Sequence, residues 1–501
     1  MSWRWLAPMS VCLLCSVQSL AQFDHYPLVR LITEEIEQAI AHPDSTTFLS
    51  FKPYLRNTIK QDSLNTYITN DRRYFNLFEV KFFKEHLFIV HEDDFDLFID
   101  PVTEIELGYD FKDQTEYQDS TQLRTNIRGL RLAGQIGGLV SFETIVYENQ
   151  AFYPNYLREH IDSTGVAPGQ GRTKVFRTSG FDYAGSSGSI GFKPAPWLQV
   201  HLGTGKHFIG TGYRSMLLSD NAFNYPFLRF RLHIPGSKWE YIKMYSETNN
   251  LDRLPLGEVP ESLFKKKGFG MHYLNWSPHP RLEVGLFEGV VWERWDSTGT
   301  KPVPLLAAQP IPLLDAAILG LENEHNAVLG LNLNFKVSSN FRAYGQLVVD
   351  KLNEDGMGYQ AGFKWKNILS GLDFQAEVNH GGVQLFASKD PLNSYTHHNE
   401  PMAHPFGAAF DEVVVILNHH RKRFWSQVRV NAQRHDFGIG GDVLSSFGEV
   451  LPEQTMTTIL QGNAEIGVTI NPNMRLQALF GFTYRDADFD SGHQVTAYPY
   501  I

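Results

Sequence analysis

The chain has 501 residues, room for several ordinary domains, with 42% apolar residues, 13% aromatics and 41 glycines. That mix excludes the long aliphatic runs of a soluble parallel sheet and fits a large antiparallel sheet with aromatic belts. A net charge of −11 argues against a nucleic-acid partner, which needs concentrated positive charge. The basic blocks Lys265-Lys266-Lys267 and Arg421-Lys422-Arg423 read as solvated turn charges.

Residues 1–21 read as a signal peptide. Arg4 supplies the positive start, Leu6 to Val17 the apolar core, and Ser19-Leu20-Ala21 a small-residue cleavage site. Cys12 and Cys15 both fall inside it, so the mature chain is expected to hold no disulfide. No later run of about 18 apolar residues suggests a membrane helix. Export without a helical anchor leaves a periplasmic protein, a secreted one, or an outer-membrane barrel.

Residues 28–42 predict a helix, with Leu28, Leu31, Ile32, Ile36, Ala39 and Ile40 on one face and acids on the other. Asp93-Asp94-Phe95-Asp96 reads as a solvated acidic turn. Residues 22–102 form a small, partly helical N-terminal region, periplasmic or plugging a barrel. From Thr103 to the end at 501, the pattern is strands. Leu329, Leu331, Leu333 and Phe335 alternate with Gly330, Asn332 and Asn334; Val428, Val430 and Ala432 alternate with Arg429, Asn431 and Gln433. A period of two puts alternate residues on opposite sheet faces. Short turns, such as Ser277-Pro278-His279-Pro280 and Asn471-Pro472-Asn473, alternate with long polar loops, such as 149–172, 206–225 and 382–410. The pattern predicts a large antiparallel transmembrane β-barrel of about 16 to 18 strands, with tight periplasmic turns and elaborate outer loops.

Residues 197–234 are the densest stretch. Leu198, Val200 and Leu202 alternate with Gln199 and His201, and Leu228, Phe230 and Leu232 with Arg229 and Arg231. Arg229 and Arg231 are therefore expected to face a wet lumen. The loop between these strands holds Tyr213, Arg214, Asp220, Asn221 and Tyr225. These either fold the loop onto itself and into the lumen or contact a sugar, through aromatic faces and planar polar groups.

Chemistry beyond binding finds no support. Gly203-Thr204-Gly205-Lys206 lacks P-loop spacing and a following helix. His397, His398 and His404 read as exposed loop histidines, His419-His420 would point to opposite faces, and Glu322 and Glu324 beside His325 are similar. No metal, no cofactor and no nucleophile–base–orienter set is expected, so the chain reads as a non-enzyme.

The run His207-Phe208-Ile209-Gly210-Thr211-Gly212-Tyr213-Arg214-Ser215-Met216-Leu217-Leu218-Ser219-Asp220-Asn221-Ala222 resembles the signature of the capsule-assembly Wzi family, in the branch that includes gliding-motility-associated outer-membrane proteins. Phe51-Lys52-Pro53-Tyr54, the segment Glu148 to Pro154 and Pro168-Gly169-Gln170-Gly171 support it. The resemblance implies an outer-membrane barrel with a helical N-terminal part that binds surface or capsular polysaccharide and helps retain it. Its branch implies, alternatively, a gliding-motility or surface-adhesin role with partners of that kind, and the polar lumen alone permits a passive porin. Outer-membrane lipid is the expected surrounding. One departure is the end: Tyr500 is penultimate and Ile501 last, so a small tail beyond the final strand is possible.

Overall fold

A computed structural model describes residues 25–26, 28–39, 48–54, 74–113, 122–253, 264–296, 299–321, 325–388, 390–436, 456–490 and 492–501. The expected signal peptide, both cysteines, Glu322, Glu324 and most of the loop after residue 436 lie outside these.

The chain forms a closed barrel of 18 antiparallel strands. They are β1 Phe95–Tyr109, β2 Gln122–Ile136, β3 Val140–Phe152, β4 Gly180–Ala195, β5 Leu198–Gly205 and β6 Tyr225–Leu232. Then come β7 Trp239–Arg253, β8 Phe264–His279, β9 Leu282–Glu293, β10 Asn326–Lys336, β11 Phe341–Val349 and β12 Met357–Leu369. The last six are β13 Leu372–Gly381, β14 Phe410–Arg421, β15 Phe424–Asp436, β16 Met456–Asn471, β17 Leu476–Phe489 and β18 Gly492–Tyr500. The first strand thus begins inside the segment read above as N-terminal, and the last ends at Tyr500. Closure leaves each wall strand bonded to a neighbour, the condition for crossing a membrane with strands.

Alternation builds the wall. Leu202, Leu333, Phe335, Val428, Val430 and Phe480 are exposed on the outer face, while His201, Asn332, Asn334, Glu377 and Asn431 are buried on the inner one. Trp239 and Trp276, paired across β7 and β8 near the short-turn rim, stack outward with centroids 5.1 Å apart. Such a pair suits a membrane interface. Tyr500 pairs with Gly108, and Leu107 and Ile501 exchange two backbone hydrogen bonds of 3.0 Å. Ile501 therefore completes the closing ladder and is no free tail.

Much of the interior is occupied by the N-terminal segment and by inturned loops. Helix α1, Arg30–Ala39, stands at the short-turn half, somewhat shorter than its apolar pattern. Ile36 packs with Tyr26, Leu49 and Tyr54. Glu37 meets Lys52, Lys364 and Arg342, the last two from the wall. Leu49 and Ser50 donate their backbone N–H groups to Glu283 of β9 at 3.1 and 3.0 Å. Above this layer, the loop 206–224 turns inward. Met216, Leu217 and Leu218 are fully buried against Phe269, Met271, Phe287, Val291 and Val328 of β8–β10 and against Phe386, Tyr395 and Met402 of the loop 382–409. An apolar lumen side draws an apolar loop into it, since both would otherwise face water.

Candidate functional site

Phe51–Lys52 and Phe208–Ile209 form a two-residue antiparallel ladder that ties the N-terminal layer to the loop. Gly210 N donates to Ser50 O at 2.6 Å. Gly210 sits at φ +118, and a Cβ there would lie 2.4 Å from Gln346 Nε2. At Gly212, a Cβ would lie 2.6 Å from Glu377 Oε2. These glycines allow backbone to touch wall side chains, which is what the run of glycines does in place of phosphate binding. Gln346 Oε1 accepts from Met216 N at 2.7 Å, and Glu377 accepts from Tyr213 N at 2.7 Å and Arg214 N at 3.0 Å.

The loop thereby holds Tyr213 and Arg214 across the lumen. Arg214 forms a bidentate pair with buried Glu412 of β14, at 3.1 Å from Nε and 2.9 Å from Nη2. His404 Nε2 lies 2.8 Å from the same carboxylate. Burial lowers the His404 pKa to about 4, so near neutral pH the imidazole is uncharged and Arg214 carries the pair. The guanidiniums of Arg30, Arg214 and Arg429 lie 4.6, 4.8 and 5.4 Å from the Tyr213 ring centroid, and Arg429 donates to its hydroxyl at 2.7 Å. Cations so placed are attracted by the ring's negative face.

Two cavities meet at this pair. The lower one, about 200 Å³, is bounded by Arg30, Glu34, Lys52, Lys364 and Asp220. The upper one, about 520 Å³, lies at the long-loop rim between helix α2, Asn155–Thr164, the loop 399–406 and strands β15–β17. Its walls include Tyr156, Phe406, Asn431, Gln461 and the guanidiniums of Arg429 and Arg485. Arg485 lies over the Tyr156 ring at 4.5 Å and donates to Gln494 Oε1 at 3.2 Å. Arg429 donates to Asn463 Oδ1 at 2.9 Å, while its buried Nε has no partner among the described residues. Among the described residues, neither guanidinium forms an ion pair with a carboxylate there. Glu400 is the cavity's carboxyl, and burial holds it well above the usual carboxylate range. It therefore cancels little of the arginine charge.

Of the residues singled out in the sequence, Tyr213, Arg214 and Asn221 line the upper cavity and Asp220 the lower. Asn221 Nδ2 donates to Pro401 O at 3.0 Å, and Asp220 O accepts from Lys206 Nζ at 3.0 Å. Tyr225 is enclosed at 1% exposure, its hydroxyl 3.1 Å from His207 Nδ1, and it faces neither cavity. Arg229 is buried on the inner face with Nη2 2.7 Å from His25 Nε2, and Arg231 pairs with Glu240 at 2.6 Å. Two solvated readings are corrected. His397 and His404 are buried, and Lys267 is enclosed, donating to Thr396 Oγ1 at 2.8 Å. Arg485, Glu412 and Tyr156 were not singled out beforehand. A strand period tells which side chains point inward, but nothing in it says which inward residues meet.

The motif segments converge on this loop: Lys206 Nζ donates to Gly169 O at 2.7 Å, and Gly169 N to Glu400 Oε1 at 2.7 Å. No family model matches the chain, and no curated protein matches it. Among solved structures it is similar to Wzi of Escherichia coli, described as an outer-membrane protein involved in group 1 capsule assembly and a carbohydrate-binding β-barrel. The TM-score is 0.51 at 12% identity, covering 81% of this chain and 84% of that one. OpdK of Pseudomonas aeruginosa gives 0.43 at 10% identity, covering 82% and 98%, and OpdQ of the same organism 0.42 at 10%, also covering 82% and 98%. At 12% identity the likeness to Wzi shows a shared fold, that of an outer-membrane β-barrel.

Proposed function

We propose that this chain is exported by residues 1–21 to the outer membrane, where it binds an acidic surface polysaccharide and serves capsule assembly or attachment without catalysing a reaction. The observation that carries this reading is the upper cavity. It lies at the long-loop rim, is large enough for one or two sugar rings, and presents Arg429 and Arg485, which form no ion pair among the described residues, beside Tyr156 and Phe406. A guanidinium fork recognises a carboxylate through two parallel hydrogen bonds, and an aromatic face covers the apolar side of a sugar ring. The carbohydrate binding described for Wzi supports the same reading. The residues 22–102 act in part as a plug, because Glu37 and Ser50 bond the wall from inside.

The test is calorimetric titration of the purified barrel with uronic-acid and neutral oligosaccharides. Acidic sugars should bind, and Arg429→Met with Arg485→Met should weaken them at least about tenfold, the loss of one charge-assisted contact. Equal binding of neutral sugars, or no effect of both substitutions, overturns the reading. A deletion strain that keeps its polysaccharide layer but loses surface spreading would assign the chain to motility instead.

A further inference from the structure

The segment between β9 and β10 lies on the outside of the barrel. Inward positions of β7–β9 are Ile242, Met244, Met271, Tyr273, Phe287 and Val291, all in the interior core. Tyr241, Lys243 and Tyr245 therefore point outward, as do His272 and Glu288. The loop descends over them as a strap. Tyr241 donates its hydroxyl to Pro310 O at 2.6 Å, Tyr245 to Ala308 O at 2.7 Å, and Lys243 Nζ to Ala307 O at 3.0 Å. Ile311 and Ile318 on the strap are 57% and 58% exposed, facing away from the wall.

Under the strap lies a polar cluster. Lys243 pairs in register with His272, and His272 with Glu288, so three adjacent strands bring these side chains to one level. Asp315 reaches them from helix α3, Leu314–Leu319, of the strap. One ligand atom from each of His272, Glu288 and Asp315 lies within 4.8 Å of the others. Glu288 already orients the strap, accepting Leu313 N at 2.6 Å and Ala316 N at 3.0 Å. Asp315 is 2% exposed, and neither carboxylate oxygen has a hydrogen-bond partner among the described residues. An unpaired carboxylate enclosed on the membrane-facing side of a barrel is costly, and such groups mark sites.

The imidazole is arranged as a ligand. Tyr241 gives its hydroxyl proton to Pro310, so its oxygen accepts the His272 Nδ1 proton across 2.7 Å. Nε2 is left with its lone pair turned to the cluster. This is the tautomer-fixing contact found behind metal-bound histidines. The cation it now meets is the Lys243 ammonium.

We propose that His272, Glu288 and Asp315 form a divalent-cation site that pins the strap to the outer wall, with Lys243 as a built-in competitor. One imidazole and two carboxylates suit zinc or manganese rather than calcium or magnesium. On binding, the metal takes Nε2, and Lys243 keeps its bond to Ala307 O.

The experiment uses the full chain in detergent micelles, its affinity tag removed, stripped with chelator and then titrated with Zn²⁺ or Co²⁺. Expected are one metal per chain by elemental analysis, a ligand-field cobalt spectrum, and slower trypsin cleavage at Lys301 when Zn²⁺ is present. Asp315→Asn should lower affinity at least about tenfold. Lys243→Met, which removes the competitor and leaves all three ligands in place, should raise it. Equal metal content in the wild type and in a His272→Ala, Asp315→Asn double variant overturns the proposal, as does unchanged affinity in Lys243→Met.

Discussion

Glu37 meets three cations: Lys364 at 2.7 Å, Lys52 at 3.1 Å and Arg342 at 3.5 Å. Burial alone would raise its pKa, but Lys364, Lys52 and Arg342 outweigh it and hold the carboxyl far below the usual range. Glu34 is held at about 2 against the same burial, by Arg30 first. Carboxyls depressed in the folded state stabilise it fully above their unfolded value of about 4.3, and the contribution fades as pH falls through the folded value. The docked segment should therefore loosen between about pH 4 and pH 2. Hydrogen exchange of residues 28–39 across that range measures it. Glu37→Gln leaves Lys52, Lys364 and Arg342 crowded without their counter-charge. Breaking a buried pair of this kind costs roughly 3–5 kcal/mol, and the same exchange measurement at pH 7 should show protection lost in α1. Gly210→Ala should release the loop 206–224, because left-handed backbone and Gln346 Nε2 both oppose a Cβ. Faster proteolysis at Lys206 and Arg214, with unchanged barrel circular dichroism, is the expected result. The sequence drew attention to Tyr213 and Arg214, and the structure places them side by side where the two cavities meet. The sequence could not show that the Tyr213 ring is shared among three guanidiniums, because Arg30, Arg214 and Arg429 come from distant parts of the chain.

At the scale of elements, the N-terminal segment and the loop 206–224 act as one insert, joined by the ladder of Phe51 with Ile209 and Lys52 with Phe208. Together they stack across the lumen that a barrel of this size would otherwise leave open. Single-channel recordings in planar bilayers should be silent for the whole chain. Deleting residues 25–54 removes the lower layer and should give large, stable conductance. Conductance in the intact chain would favour a porin instead. The strap over β7–β9 has no equivalent in the sequence reading, which placed long loops at the barrel rim and none along the wall. Its hydroxyl contacts from Tyr241 and Tyr245 come from outward strand positions, which on an uncovered barrel wall would meet lipid.

For the whole molecule, the joint between β18 and β1 is where the ends of the chain close the sheet. Few backbone bonds hold it: the Leu107–Ile501 pair and Phe111 N to Ala497 O at 3.1 Å, beside the Tyr500–Gly108 pairing. Tyr500 also donates to Glu465 Oε1 at 2.7 Å, over Gly481, where any Cβ would strike its ring. Removing Tyr500 and Ile501 should sharply lower the yield of closed barrel, read as loss of the heat-modifiable band on gels. The sequence by itself determined the barrel, since strands that alternate apolar and polar residues, joined by alternating short and long connections, satisfy their backbones in a membrane only by closing. It also gave the inward direction of Arg429, Asn431 and Asn332, because a period of two depends on local order alone. Tertiary structure decided that the lumen is filled, that Tyr225 is enclosed, and that His272, Glu288 and Asp315 meet under a strap. Those outcomes depend on contacts between residues far apart in the chain, and no local pattern carries that information.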